Sequence, residues 1–346
     1  MTAGPVWPAG AVPGPVARGR GQVVGRVTAA PAAPGAPGAP GDGWAPRESV
    51  WRARRPVDVR RTLGPLVRGH GDPAHRVTPD GVFWRVALTP EGPATLALRL
   101  SGVGEVRATA WGPGADWTLA GVPELLGSRD DPSGYAPEHP LLRDTLRLHP
   151  GVRVPRTRLV FDQLLPSVLE QKVTGQEARR SWRELVRRYG SVPPGPAPRG
   201  MRVPPPAPVV LAVPTWEWHR AGVDHQRQRT LRAAATVAAR LEECVDMAFG
   251  AAAARLRVVP GIGPWTAAEV AQRALGDADA VSVGDYHIPA MVGWALVGEP
   301  LDDDGMLAVL EEHRPHRHRV VRLIELSGVS PPRRGPRMTV RDYRSF

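Results

Sequence analysis

Two stretches of this sequence could do chemistry, and they lie close together. One is a single carboxylate, Asp285, in the loop VGDYHI. A lone loop carboxylate can stabilise a positive charge that develops on a substrate, or orient and deprotonate a water molecule. It can equally cap a helix starting near Tyr286, since Asp is a favoured N-cap residue. The other is the apolar turn VVPGIG at residues 258–263, which runs into PWTAAEVAQRAL. A helix start of this kind offers free N–H groups and the positive end of a helix dipole, which suits a phosphate. The alternative for the turn is a tight helix–helix connection with no ligand.

The elements that must position these groups can be read from residue type. A helix ending near Arg257 is stopped by Pro260, which lacks an N–H and has a restricted φ. Gly261 and Gly263 permit positive φ and close backbone approach, and Ile262 can plug the turn into the core. Pro264 suits the first turn of a second helix over residues 264–275. Upstream, FDQLLPSVLEQKVTGQEARRSWRELVRRYG at residues 161–190 places Leu164, Leu165, Val168, Leu169 and Val173 at helical spacing. Thr174 and Gly175 break that helix and QEARRSWRELVRRY begins another.

PGIGPWTA followed about twenty residues on by the Asp of GDYHI, together with the 161–190 stretch, resembles the helix-hairpin-helix superfamily of DNA base-excision glycosylases. The nearest branch is the 3-methyladenine DNA glycosylase II enzymes, and the resemblance covers roughly residues 147–326. It implies a mainly α fold, a helix-hairpin-helix glycosylase core preceded by a small N-terminal α+β domain. It implies that Asp285 is catalytic, and that Gly261, Ile262, Gly263, Trp265 and Thr266 hold the DNA backbone, with a monovalent cation a possible aid. Gln171 and Lys172 fall on the turn that faces the lesion and fills the gap left by a flipped base. Lys172 departs from the apolar or amide side chain usual there. Tyr286, Glu269 and His316 fall at base-pocket positions; Glu269 stands where an aromatic can stand, and His313 and His316 replace expected tryptophans. A surface helix position is the other reading of Glu269.

The implied reaction is hydrolysis of the N-glycosidic bond of damaged bases, alkylated purines first among them, after base flipping. Such cationic bases stack well on electron-rich rings. Relatives that also cut the strand use a Lys two residues after the second hairpin Gly; here that residue is Trp265, so the expected enzyme is monofunctional and leaves an abasic site. The alternatives are a DNA-binding protein that has lost catalysis, or a glycosylase for a deaminated or oxidised base.

Composition agrees with a polyanion partner. The 346 residues carry 45 Lys and Arg against 34 Asp and Glu, a formal charge of +11, although a general bias toward Arg would produce the same number. Lys172 is the only lysine and Cys244 the only cysteine, so a four-cysteine iron–sulfur cluster cannot form and no cofactor is expected. HRPHRHR brings His313, His316 and His318 close in sequence, but without the acidic partners of a hydrolytic metal centre. Neither a signal peptide nor a membrane-length apolar run is visible. The expectation is a monomer in the cytoplasm, associated with the nucleoid, acting on double-stranded DNA that contains damaged bases.

Along the chain, residues 1–49 read as a disordered Pro/Ala/Gly-rich tail. Residues 50–137 read as the α+β accessory domain without chemistry of its own, with strand alternation in GVFWRVALT, PATLALRLSG and EVRATAWG. Residues 138–328 form the helical core, interrupted by a Pro-rich surface insertion at 191–213. Residues 329–346 form a basic C-terminal tail.

Overall fold

Alternation of apolar and polar residues produces one antiparallel sheet of five strands in the order β1-β5-β4-β3-β2. Its strands are β1 (Arg47–Arg52), β2 (His75–Val77), β3 (Phe83–Thr89), β4 (Gly92–Gly102) and β5 (Glu105–Trp111). The three strands expected from alternation are present. The two short outer strands are additions, and β1 starts at Arg47, inside the stretch read as tail. Phe83, Leu96, Leu98, Val106 and Ala108 face one side and bury α1 (Val59–Leu63) and α2 (Ala115–Leu125). In α1, Asp58 caps the first turn by accepting from the Arg61 N–H.

The computed structural model describes residues 43–332, residue 103 excepted, and all of these fall in one compact unit. Most of the expected N-terminal tail (1–42) and C-terminal tail (333–346) lies outside the described residues.

The remaining helices divide between two further apolar clusters. The larger contains α4 (Val160–Leu169), α5 (Gly175–Tyr189), α6 (Ala207–Ala212), α7 (Thr215–Arg220), α8 (His225–Thr236), α9 (Ala238–Glu242), α10 (Phe249–Arg257) and α11 (Pro264–Val270). The smaller joins α3 (Pro140–Leu148) to α12 (Ile288–Leu296), α13 (Asp303–Leu310) and α14 (Arg317–Ser327). The segment between α11 and α12 crosses from one cluster to the other: Leu275 packs in the first and Val281 in the second. Asp285 lies on this crossing.

Local chemistry explains the boundaries. Thr174 starts α5 with a reciprocal capping box: its hydroxyl accepts from the Glu177 N–H, and the Glu177 carboxylate accepts from the Thr174 N–H at 2.8 Å. Asp302 caps α13 by accepting from the Gly305 N–H at 2.9 Å. Thr215 does not cap α7; Pro214 occupies the N-cap, and the Thr215 hydroxyl accepts from Gln228.

One expectation needs correction. The Pro-rich insertion is not a surface loop: Met201 and Val203 join the larger core, Pro204 and Pro205 are buried, and the Pro194 carbonyl accepts from the Thr95 hydroxyl of the sheet. Proline has an apolar ring and no N–H to satisfy, so it can fill such a gap cheaply. Arg227 of α8 is buried, bound to Asp224 and to the carbonyls of Leu169 and Gly222.

Candidate active site

The hairpin has the geometry its sequence suggests at one glycine and not at the other. Gly261 has φ +90°, and a Cβ there would run into the Thr230 hydroxyl of α8, so conformation and space both demand glycine. Gly263 is extended, with φ −92° and ψ −175°, and caps α11. Positive φ is therefore not its role. Nothing lies within 4 Å of where its Cβ would be, so it leaves an open surface at the helix start. Ile262 turns inward and is 5% exposed, so of this residue only the main chain can face a ligand. Thr266 is buried as well. Past Val270 the helix continues as a π turn, Ala271–Leu275, closed by Gly276 at φ +78°.

The turn after α4 is fastened to this hairpin. The Gln171 side-chain amide donates to the Gly261 carbonyl at 3.0 Å and to the Thr266 hydroxyl at 2.8 Å. Its polar end is thus occupied, and the next residue, Lys172, is the one left exposed, with φ +54°. That conformation is uncommon for a side chain other than Gly or Asn and directs Lys172 away from the packed turn.

Asp285 is half-buried. Its Oδ2 accepts from the Trp265 indole N–H at 2.9 Å, and its Oδ1 accepts from the backbone N–H groups of His287 (2.8 Å) and Ile288 (3.0 Å). One oxygen thus accepts from the N–H groups at the start of α12, whose N-cap residue is His287, and the other meets the hairpin helix. Every one of these donors is neutral, and among the described residues no cation forms an ion pair with Asp285. Tyr286, the next residue, is 79% exposed with its ring edge-on to His287.

Glu269 occupies neither a surface position nor an open pocket. It is 7% exposed; its Oε1 accepts from the Ser282 hydroxyl at 2.7 Å, and its Oε2 pairs with Arg273 at 2.8 Å. Ser282 also receives the Gln272 amide at 2.9 Å, and the Ser282 carbonyl accepts from the Asp285 N–H at 3.2 Å. Glu269 therefore braces the loop that carries Asp285, with its charge cancelled by Arg273. Arg273 in turn donates to the Pro65 carbonyl of the N-terminal region. Sequence reading missed Ser282, Gln272 and Arg273, although the i, i+4 spacing of Glu269 and Arg273 is a visible ion-pair signal.

His316 is buried beside Tyr135, ring centroids 5.0 Å apart, and receives the Arg319 guanidinium on Nδ1 at 3.4 Å. Arg319 forms a buried ion pair with Asp130. Among the described residues, no hydrogen bond or ring contact joins His316 to Asp285, Tyr286 or Glu269. Burial, and then the Arg319 charge, pushes the His316 imidazole below its ordinary pKa; burial does the same for His313 and moves His318 well below. No group of three or more His, Cys, Asp or Glu among the described residues is arranged to hold a metal ion. Asp279 serves as a structural acceptor, pairing with Arg317 at 2.6 Å and Arg314 at 3.1 Å. No described helix is long and apolar enough to cross a membrane.

A cavity of about 410 Å³ lies elsewhere, lined by residues that include Glu124, Arg156, Val245, Met247 and Phe249. None of the candidate site residues borders it.

No family model matches the sequence. A stretch of 154 residues, 43% of this chain, is 31% identical to proteins of two Mycobacterium tuberculosis strains named "Probable bifunctional transcriptional activator/DNA repair enzyme AlkA", and it spans 30% of their length. The 3-methyladenine DNA-glycosylase of Archaeoglobus fulgidus superposes with a TM-score of 0.66 at 15% identity, over 81% of this chain and 98% of that one. The Clostridium acetobutylicum 8-oxoguanine glycosylase/lyase, in complex with double-stranded DNA containing cytosine opposite 8-oxoguanine, superposes with a TM-score of 0.63 at 11% identity, over 83% of this chain and 98% of that one.

Proposed function

We propose that this chain, whose fold is that of the helix-hairpin-helix DNA glycosylases, hydrolyses the N-glycosidic bond of damaged bases in duplex DNA. Alkylated purines are the first substrates, and the product is an abasic site in an uncut strand. The observation that carries this reading is the state of Asp285: both carboxylate oxygens are fixed, yet only by neutral donors. A carboxylate oriented in this way keeps its negative charge available.

In the proposed reaction the damaged nucleotide leaves the stack, and its C1′ approaches Asp285. The bond from C1′ to the purine nitrogen breaks, and both electrons leave with the base. A base alkylated at N3 or N7 starts cationic and departs neutral, so it needs no proton. Positive charge builds on the deoxyribose and is stabilised by the carboxylate. A water molecule then adds to C1′ and gives its proton to Asp285. Trp265 holds the carboxylate and offers no amine to attack C1′. Lys172, the only lysine, belongs to the turn after α4. These two facts support hydrolysis without strand cleavage.

The hairpin anchors the backbone through main-chain N–H groups at the start of α11, a contact that positions the DNA without reading sequence. The 31%-identical stretch shared with the DNA repair proteins supports the alkylation-damage reading, and exposed Tyr286 supplies an aromatic face next to Asp285.

The test is base release by the wild-type chain across a panel of duplexes: methylated purines, hypoxanthine, uracil and 8-oxoguanine. Each reaction is analysed with and without alkali. Breaks that appear only after alkali, and first on methylated purines, are the expected result. Breaks without alkali would overturn the monofunctional mechanism. Release confined to another lesion would overturn the substrate.

A further inference from the structure

The sheet region was expected to carry no chemistry, but one of its loops reaches the edge of the candidate site. This loop is RGHGD, residues 68–72. Buried charge nails it at both ends. Arg68 is 6% exposed, and one of its guanidinium nitrogens lies 3.0 Å from each oxygen of Glu170, the residue just before Gln171. Asp72 is 1% exposed and collects donors from the Arg68 and Ala74 N–H groups, the His75 ring and the Trp182 indole of α5. Burial opposes ionisation of Asp72, but His75 and these donors together hold its pKa below the usual value.

Between the two nails, Gly69 (φ +76°) and Gly71 (φ +82°) turn the chain and present His70 to solvent. Gly69 also makes room for an arginine of α5, and Gly71 lies beside a second. A Cβ on Gly69 would run into the Arg179 side chain, and one on Gly71 would lie 3.6 Å from Arg183. The Arg179 guanidinium continues over Gly175, 3.3 Å from where a Cβ would be. It is therefore threaded between the loop and the first residue of α5, next to the turn that exposes Lys172. Among the described residues, neither Arg179, Arg183 nor Lys172 has a carboxylate partner. Later on the same helix, Arg188 pairs with both Glu217 and Glu184. The helix dipole does not explain cations held near the start of α5, because it favours anions there.

We propose that His70, Arg179 and Arg183 form a second phosphate-binding strip, built jointly by the RGHGD loop and α5, which grips a backbone segment of the duplex across the Lys172 turn from the hairpin. The inference rests on the DNA glycosylase reading and extends its footprint. The hairpin holds one stretch of backbone with main-chain N–H groups, and the strip holds another with side-chain cations. A continuous chain of bonds joins them: Arg68 to Glu170, then Gln171 to Gly261 and Thr266. The two grips therefore keep a fixed spacing, and a duplex bound at both is held against Lys172 between them.

The experiment measures binding of a duplex with an abasic-site analogue by fluorescence anisotropy, over a series of salt concentrations, for the wild type and for Arg179→Ala, His70→Ala and Gly69→Ala. Arg143→Ala, an exposed site on α3, is the control. Arg179→Ala should weaken binding about five- to tenfold and lower the slope of log K against log salt by about one, the signature of one lost phosphate contact. Gly69→Ala should act in the same direction without removing a charge, because its methyl displaces Arg179. Arg143→Ala should keep the wild-type affinity, salt slope and single-turnover rate of base release. Melting curves identify any variant that fails to fold, and Arg179→Ala, on an exposed side chain, carries the test if Gly69→Ala does. Unchanged affinity and slope in Arg179→Ala, with a wild type that binds and releases base, would overturn the strip alone. A wild type that neither binds the duplex nor releases base would overturn the glycosylase reading and the strip with it.

Discussion

Asp285 and Glu269 are held in similar ways and left in opposite electrical states. Each has both carboxylate oxygens engaged, and each helps fix the segment between α11 and α12. Glu269 lies in the core against the Arg273 guanidinium, so its charge is cancelled where it stands. Asp285 is half-buried at the surface between the two helical clusters, held by an indole and two backbone N–H groups that carry no net charge. The lesson is that orientation and neutralisation are separate. Neutral donors supply the first without the second, which is what stabilising a short-lived cation requires. The guanidinium supplies both, and that suits a brace.

Glu269→Gln should break this contrast most visibly. It leaves Arg273 without its carboxylate in a site where Glu269 is 7% exposed, and losing one partner of a buried pair costs about 3 kcal/mol. The expected result is a lower melting temperature with an unchanged order of preference among damaged bases. A changed preference at unchanged stability would return Glu269 to the base pocket.

Ile262→Ala should cost about 2–4 kcal/mol, because it opens a cavity where the hairpin plugs into the larger core. Chemical denaturation measures this. A loss of DNA binding without loss of stability would mean that the side chain, and not the main chain, meets the ligand.

Acid should weaken the smaller cluster. His313, His316 and His318 have pKa values lowered in the folded chain, chiefly by burial. The unfolded chain therefore binds more protons below the ordinary histidine value of about 6.5. Their contribution to stability is complete above that pH and shrinks as the pH falls below it. Melting temperatures on both sides of the ordinary value check the sign. Trp265→Phe should have the smallest effect: it removes one neutral donor to Asp285, worth about 1–1.5 kcal/mol, or roughly tenfold in single-turnover rate.

The sequence made the hairpin legible because its geometry is local. Pro260, Gly261, Pro264 and the spacing to Asp285 act within a few turns of chain, and Ile262 points inward as its apolar character requires. Strands β3 to β5 were legible for the same reason, since alternation is a local pattern. The missing pieces depend on distant partners. Strand β1 exists because it pairs with β5. The insertion is fixed by partners far off in the chain: Met201 and Val203 join the larger core, and the Pro194 carbonyl meets Thr95 of the sheet. Arg68 meets Glu170, and Arg319 meets Asp130, across long stretches of chain. Glu269 and His316 were read by position in a motif, which fixes where the backbone goes but not which neighbours complete the environment. The split of the helices into two clusters was hidden as well, because apolar periodicity marks a buried face without naming what covers it.

The central claim is that the unneutralised carboxylate of Asp285 drives base release. Asp285→Asn keeps the shape of the side chain and an oxygen that can still accept from a backbone N–H, while removing the charge. Single-turnover release from methylated-purine duplex, measured beside affinity for the abasic duplex, separates chemistry from binding. The account predicts affinity within about twofold of the wild type and a rate lower by about 10²–10³-fold or more. Release by Asp285→Asn at the wild-type rate would contradict it.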